Sequence, residues 1–304
     1  YELWAELERE SGRRLLRIVG GLNLGRPDGV LVTGARRSAE EHGVTHEMLD
    51  AVEVASRYPA LRPGPEMVAV WESRAGILDP EACVAAHLQV AARHGAALRY
   101  DEAVLGWSAG ADGFTLVTSR GRHRARRLVL AAGPWLSSLV PDLRLPLTVE
   151  RQVQLWFEPR KPTDAFATER CPVHLWDLDA GRYLYGFPDL GDGVKLAMHH
   201  GGESTTAERV RRDVGDDEVE AVRALLRRYV PAADGPLRDA TVCLYTNTPD
   251  GHFWIDAHPT HPQVLIASAC SGHGFKFSSA IGELLADLVT RGTTAFDIAP
   301  FRAR

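Results

Sequence analysis

The stretch Ser271-Gly272-His273-Gly274-Phe275-Lys276-Phe277-Ser278-Ser279 is the part of this chain best equipped for chemistry. It follows the apolar run Val264-Leu265-Ile266-Ala267 and precedes Ile281, Leu284, Leu285 and Leu288 at helical spacing. A strand therefore ends there, two glycines let the backbone approach something closely, and a helix opens with its positive end toward the same place. Such an approach suits an anion or an electron-rich ring. Lys276 lies inside this loop and is one of only three lysines, with Lys161 and Lys195, in a chain otherwise supplied with arginine. Lysine is a compact ammonium on a flexible stem, whereas arginine is a broad planar fork, so a site that needs a small movable charge does not accept arginine instead. Lys195 and Lys276 sit inside apolar or Gly-rich patterns and read as such sites. Lys161, beside Pro162 in a polar stretch, reads as a surface residue.

Other chemistries find less support. Cysteines 83, 171, 243 and 270 are far apart and form no CxxC or Cys/His zinc spacing. They fit unpaired thiols in a reducing cytoplasm. His199, His200, His252, His258 and His261 would have to serve a metal-dependent hydrolase, yet none is spaced as a helical HxxxH or HExxH pair. No metal site is expected. There is no GxSxG for a serine hydrolase. A formal charge of -5 without a basic block argues against nucleic acid and against an anionic membrane surface. No apolar run approaches the length of a membrane span.

The elements that must position these residues can be read from periodicity. With 304 residues, 45% of them hydrophobic, the chain is more suited to two lobes than one. Leu3, Trp4 and Leu7 stripe an opening helix that closes at Gly12. Leu15 to Leu24 reads as one strand, Gly25 to Gly29 as a turn, Val30 to Val32 as a second strand, and residues 37–42 and 46–57 as helical. Asp79-Pro80-Glu81 is a strong helix start. A hairpin through Ala111-Asp112-Gly113, a basic turn at Arg120 to Arg127 and a buried strand at Leu128 to Ala132 follow. From Pro146, segments 149–157, 173–178, 183–187 and 194–198 read as antiparallel strands, then a helix at 216–229, then strands from Thr241 and the final helix. The fold class expected is α/β and α+β: a lobe built from discontinuous α/β pieces plus a mostly antiparallel lobe with helices. The division expected is 76–145 with 243–304 for the first, and 1–75 with 146–242 for the second.

These expectations draw on a resemblance carried by specific residues. Cys243-Leu244-Tyr245-Thr246-Asn247-Thr248-Pro249-Asp250-Gly251-His252-Phe253, then Ile255-Asp256 and the Ser271–Ser279 loop, resemble the monomeric sarcosine oxidase family, which includes N-methyltryptophan and pipecolate oxidases. The opening Glu2-Leu3-Trp4, Ala132-Gly133-Pro134-Trp135, Gly186-Phe187-Pro188, Lys195-Leu196 and the closing run Phe296 to Arg302 match in order. Enzymes of this family open with a strand-GxGxxG-helix unit for the FAD pyrophosphate. No glycines occur here at i, i+2 and i+5, and the first residue is Tyr1. We therefore expect a fragment beginning after that unit and after the family's first carboxylate-binding arginine; the resemblance makes the discontinuous lobe a remnant of a Rossmann-like FAD-binding domain and the antiparallel lobe the substrate domain.

The resemblance implies roles. Cys243 would attach FAD covalently, although alone it reads equally as a buried free thiol at a strand end. Lys195 would lie over the flavin and assist O2, although alone it could be an exposed strand lysine. Lys276 would bind the substrate carboxylate. His199 and Tyr185 would line the substrate pocket, with Tyr245 beside them. Val104, Ala132, Gly133, Trp135, Gly272, His273, Gly274 and Phe275 would touch the cofactor. Cys270 departs from the family, which usually has Phe there. The implied activity is an FAD-dependent oxidase of N-methyl or cyclic secondary amino acids that yields an imine and hydrogen peroxide, acting as a monomer with O2 as acceptor. A truncated, non-catalytic relative that binds a partner through a flavin-less groove is the alternative.

Overall fold

The computed structural model describes residues 1–160, 164–178 and 180–302, so Lys161 lies outside the described residues. In chain order the elements are α1 (Glu2–Ser11), β1 (Leu16–Ile18), β2 (Gly21–Gly25), α2 (Val30–Glu41), β3 (Glu47–Asp50), α3 (Ala51–Arg57), β4 (Val68–Glu72), β5 (Gly76–Leu78) and α4 (Pro80–Arg93). Next come β6 (Val104–Gly110), β7 (Gly113–Thr118), β8 (Gly121–Ala125), β9 (Leu128–Leu130), α5 (Leu136–Leu139) and β10 (Thr148–Phe157). The remainder is β11 (Val173–Asp177), β12 (Tyr183–Gly186), β13 (Val194–His199), β14 (Glu203–Thr205), α6 (Asp216–Tyr229), β15 (Leu237–Asn247), β16 (Trp254–His258), β17 (His261–Ser268) and α7 (Ser278–Arg291).

The large sheet runs β14-β10-β13-β12-β11-β2-β4-β3, with β15 also paired to β10. β10 holds three partners because it is long. β14 takes Val149–Arg151 and β13 takes Leu155–Phe157 along one edge, while β15 follows the other from Thr148 to Phe157. Alternation on β10 sorts its side chains. Leu155 and Phe157 join the main core with Leu184, Leu196 and Trp176, and Val222, Leu226 and Tyr229 of amphipathic α6 cover them. Glu150, Gln152, Gln154 and Trp156 point to the opposite face, as do their cross-strand neighbours Tyr245, Cys243 and Lys195. A second core lies under the sheet β16-β17-β9, in which β17 runs parallel to β9. The strands β6-β7-β8 form a separate small sheet, and β1 pairs with β5. α1 packs Trp4 and Leu7 against Cys83 and Ala86 of α4.

Several local expectations need correction. Val30 to Val32 begins a helix, not a strand: Gly29 is its N-cap, and β-branched side chains are accommodated because Val32 packs inward while Val30 stays exposed. Residues 46–57 split into β3 and α3 at Asp50, whose carboxylate accepts from Glu53 N while Glu53 accepts from Asp50 N, a capping box that starts the helix only there. Leu15 to Leu24 is two strands in two sheets, broken at Gly20, whose φ of +74° is left-handed. The basic turn contains β8, whose exposed arginines sit on an edge strand. The strands after Pro146 are antiparallel to one another, but β11 runs parallel to β2.

Candidate active site

The polar face of the large sheet gathers the chemistry. Cys243 is half-buried on β15 opposite Gln152, and the Gln154 side-chain amide donates to its Sγ at 3.2 Å. Burial raises the thiol's pKa, opposed by the Gln154 hydrogen bond and by the Lys195 ammonium. Lys195 stands beside its cross-strand partner Trp156, with Nζ 4.8 Å from the centre of that ring and 5.5 Å from the Phe187 ring. The apolar walls desolvate the ammonium and lower its pKa, while Cys243 and Glu81 act in the other direction.

Further along the same face, Tyr185 and Tyr245 influence each other's phenol electrostatically, and Tyr245 Oη lies 3.2 Å from His199 Nδ1. Burial raises both phenol pKa values, assisted by Cys243. Burial pulls His199 down to about 4, with His200, His273 and Lys276 nearby acting in the same direction, so the ring is neutral at neutral pH.

The Ser271–Ser279 loop closes over these residues. Ser271 N donates to Thr246 O at 2.9 Å, and Ser271 Oγ donates to His252 O at 2.8 Å, which pins the loop to the end of β15. Gly272 follows at φ +73°, and a Cβ there would stand 2.6 Å from the Tyr245 ring and 3.1 Å from His199 Cε1. Only glycine allows the backbone this close. His273 Nε2 contacts Gly251 O at 2.9 Å and its ring stacks on Phe253. Gly274 leads into a single 3-10 turn, Phe275–Phe277, before α7. Trp4 of α1 anchors that turn: its indole donates to Lys276 O at 3.0 Å and its ring stacks with Phe275. The Lys276 side chain is exposed, and the desolvation it does undergo lowers its pKa.

The structure thus brings Cys243, Lys195, Lys276, His199, Tyr185 and Gly272 to one face and its covering loop. Ala132, Gly133 and Trp135 form a turn against β15. At Gly133, φ +52°, the space a Cβ would occupy is open, and Trp135 is 49% exposed beside it. Val104 lies on the small β6-β7-β8 sheet, opposite Thr118. Among the described residues, no three His, Cys, Asp or Glu side chains stand close enough together to hold a metal ion, and no helix is long and apolar enough to cross a membrane. The motifs do not single out Glu150, Gln154 or Asn247. The signal that finds them is the polar alternation Glu150-Gln152-Gln154 on the strand paired with Cys243.

The chain is similar along its whole length to known flavoproteins. The profile of the FAD dependent oxidoreductase family matches residues 1–288. Monomeric sarcosine oxidase of Streptomyces avermitilis is 42% identical over all of this chain and 80% of that protein. N-methyl-L-tryptophan oxidase of Salmonella heidelberg is 33% identical over 99% of this chain and 80% of that protein. The solved open form of NikD, an amino acid oxidase essential for nikkomycin biosynthesis, superposes with a TM-score of 0.84 at 23% identity, over all of this chain and 81% of that one, and so shares the fold. The α/β architecture, the sheet face with its glycine loop and these matches together place the chain in the FAD-dependent oxidoreductase family, among relatives of monomeric sarcosine oxidase.

Proposed function

We propose that this protein oxidises N-methyl or cyclic secondary amino acids at the carbon beside the amine, using FAD and O2. The observation that supports it best is the convergence of the Cys243 thiol, the Lys195 and Lys276 ammonium groups and the hydrogen-bonded Tyr245–His199 pair around one glycine loop. FAD, when bound, would accept a hydride equivalent from the substrate carbon and pass the electrons to O2, giving hydrogen peroxide. The resulting imine is hydrolysed in solution.

This chain's own residues bind and orient. Lys276 holds the substrate carboxylate through a charge-assisted hydrogen bond from its ammonium. Tyr185, Tyr245 and neutral His199 shape the pocket around the amine and bear no charge that would repel it. Lys195, framed by Trp156 and Phe187, supplies a fixed positive charge where electrons reach oxygen. Cys243 attaches the cofactor through its sulfur, and Gly272, His273, Gly274, Phe275, Ala132, Gly133 and Trp135 cradle it. Val104 belongs to the same expected set of cofactor contacts. In this reading residues 76–145 with 243–304 form the cofactor side and 1–75 with 146–242 the substrate side of a monomer. The free cysteines suit a cytoplasmic protein.

The test is peroxide release from a panel of N-methyl and cyclic amino acids by the purified protein, with its visible spectrum recorded. Flavin bands bleached by one of these substrates without air, and restored by air, are expected. A flavin-bound protein whose bands no secondary amino acid bleaches would overturn the reading.

A further inference from the structure

We infer that Glu150 is the positioning residue of the substrate pocket, acting through His199 and Tyr245 rather than on the substrate. The inference rests on the oxidase reading for what the pocket binds, but its geometry is independent of that reading. Glu150 is only 9% exposed, yet its carboxylate gathers donors from three different segments. Gln152 Nε2 donates at 2.7 Å from its own strand, Gly202 N at 2.6 Å from the turn between β13 and β14, and Asn247 Nδ2 at 2.6 Å from the end of β15. His200 Nδ1 approaches at 3.5 Å.

The turn that this carboxylate grips is one that would not hold itself. His200 has φ +64° and Gly201 φ +81°, and the left-handed region is unfavourable for any residue with a Cβ. A bond to Gly202 N and an approach to His200 from the same carboxylate fix this conformation from both sides. His200 in turn lies against the pocket residues: its ring centre is 4.2 Å from that of His199 and 5.3 Å from that of Tyr245. Asn247 lies two residues beyond Tyr245 on the same face of β15. One buried group thus holds the neighbours of both side chains. A carboxylate suits the task because a charged acceptor makes the stronger bonds and serves several donors at once.

Its charge reaches the pocket as well. His199 faces His200, His273 and Lys276 and the hydroxyl of Tyr245; Glu150 is the negative group acting in the opposite direction. Removing the charge should weaken the proton affinity of His199, whereas a purely structural brace would leave it alone.

The test uses the full chain and histidine ring NMR titration, with the His199 signal assigned by its loss in His199→Gln. Glu150→Gln keeps the length of the arm and removes the charge; the His199 midpoint is expected to fall by at least roughly half a pH unit, while His258 and His261, on another sheet, stay put. A Gln variant with a wild-type amide spectrum and an unmoved His199 midpoint would overturn the inference, as would a shift shared by all three histidines. Glu150→Asp keeps the charge and shortens the arm. Its His199 midpoint should match wild type, and turnover of an N-methyl amino acid should lose about tenfold in kcat with KM changed less than about twofold, because Lys276 is untouched. Wild-type kcat in the Asp variant would refute positioning. A wild-type protein inactive on every substrate would instead count against the oxidase reading, and the titration would still decide the role of Glu150.

Discussion

Gly272→Ala is the smallest change that attacks the site's geometry. At φ +73° an alanine occupies the left-handed region at a cost of about 1 kcal/mol. Its methyl would also stand 2.6 Å from Tyr245 Cε2 and 2.7 Å from Cδ2, where ordinary contact begins near 3.4 Å. The ring must therefore retreat by about 0.8 Å. It has little room: His199 and His200 flank it at 5.6 and 5.3 Å between ring centres, and its hydroxyl is engaged by His199. Overpacking of this kind adds about 1–2 kcal/mol, so the total destabilisation should be about 2–3 kcal/mol. Displacing a pocket ring by nearly 1 Å should lower turnover by about 100-fold. Urea unfolding gives the first quantity and peroxide-coupled assay the second. A variant less than about 0.5 kcal/mol destabilised and turning over as wild type would show that the loop does not press on Tyr245, and the geometry argued here would fail.

Lys276→Met should raise KM by about 10- to 100-fold without lowering stability at neutral pH, because desolvation already disfavours the ammonium; steady-state kinetics and urea unfolding check both halves. Trp4→Phe removes the indole donor to Lys276 O and should cost about 1 kcal/mol while also raising KM, since the lysine's turn loses its anchor. Stability should fall in mild acid: burial holds His174 near pKa 3, against 6.5 ordinarily, so between those values the unfolded chain binds a proton that the folded one refuses. His199, near 4, acts in the same direction over the upper part of that window. Stability therefore rises with pH toward neutrality, and His174→Gln, whose amide oxygen still accepts from Trp176, should flatten the unfolding midpoint between pH 7 and mild acid.

Legibility followed the physics of each signal. Asp79-Pro80 announced α4 and the apolar stripe of 216–229 announced α6, because caps and helical periodicity are local. The glycine loop and the scarce lysines stand out from residue type alone, and the fold brings Lys195 and Lys276 to the neighbourhood of Cys243 and His199 respectively. Val30–Glu41 misled because valines favour strands until tertiary packing decides otherwise, and 46–57 because a capping box inside an apolar stretch looks like continuous helix. The pairing of β10 with β15 was invisible: residues about 90 apart meet only through the register, so the contact of Gln154 with Cys243 and of Glu150 with Asn247 had no local signature. Trp4, some 270 positions from the loop it braces, is the same case.

The most direct measurement of the central claim is acid precipitation of the purified holoprotein followed by mass spectrometry of the peptide containing Cys243. A covalently held flavin gives a yellow pellet and a Cys243 peptide heavier by FAD less the two hydrogens lost when sulfur bonds to the flavin carbon. A colourless pellet with yellow supernatant and a free Cys243 thiol would contradict that attachment.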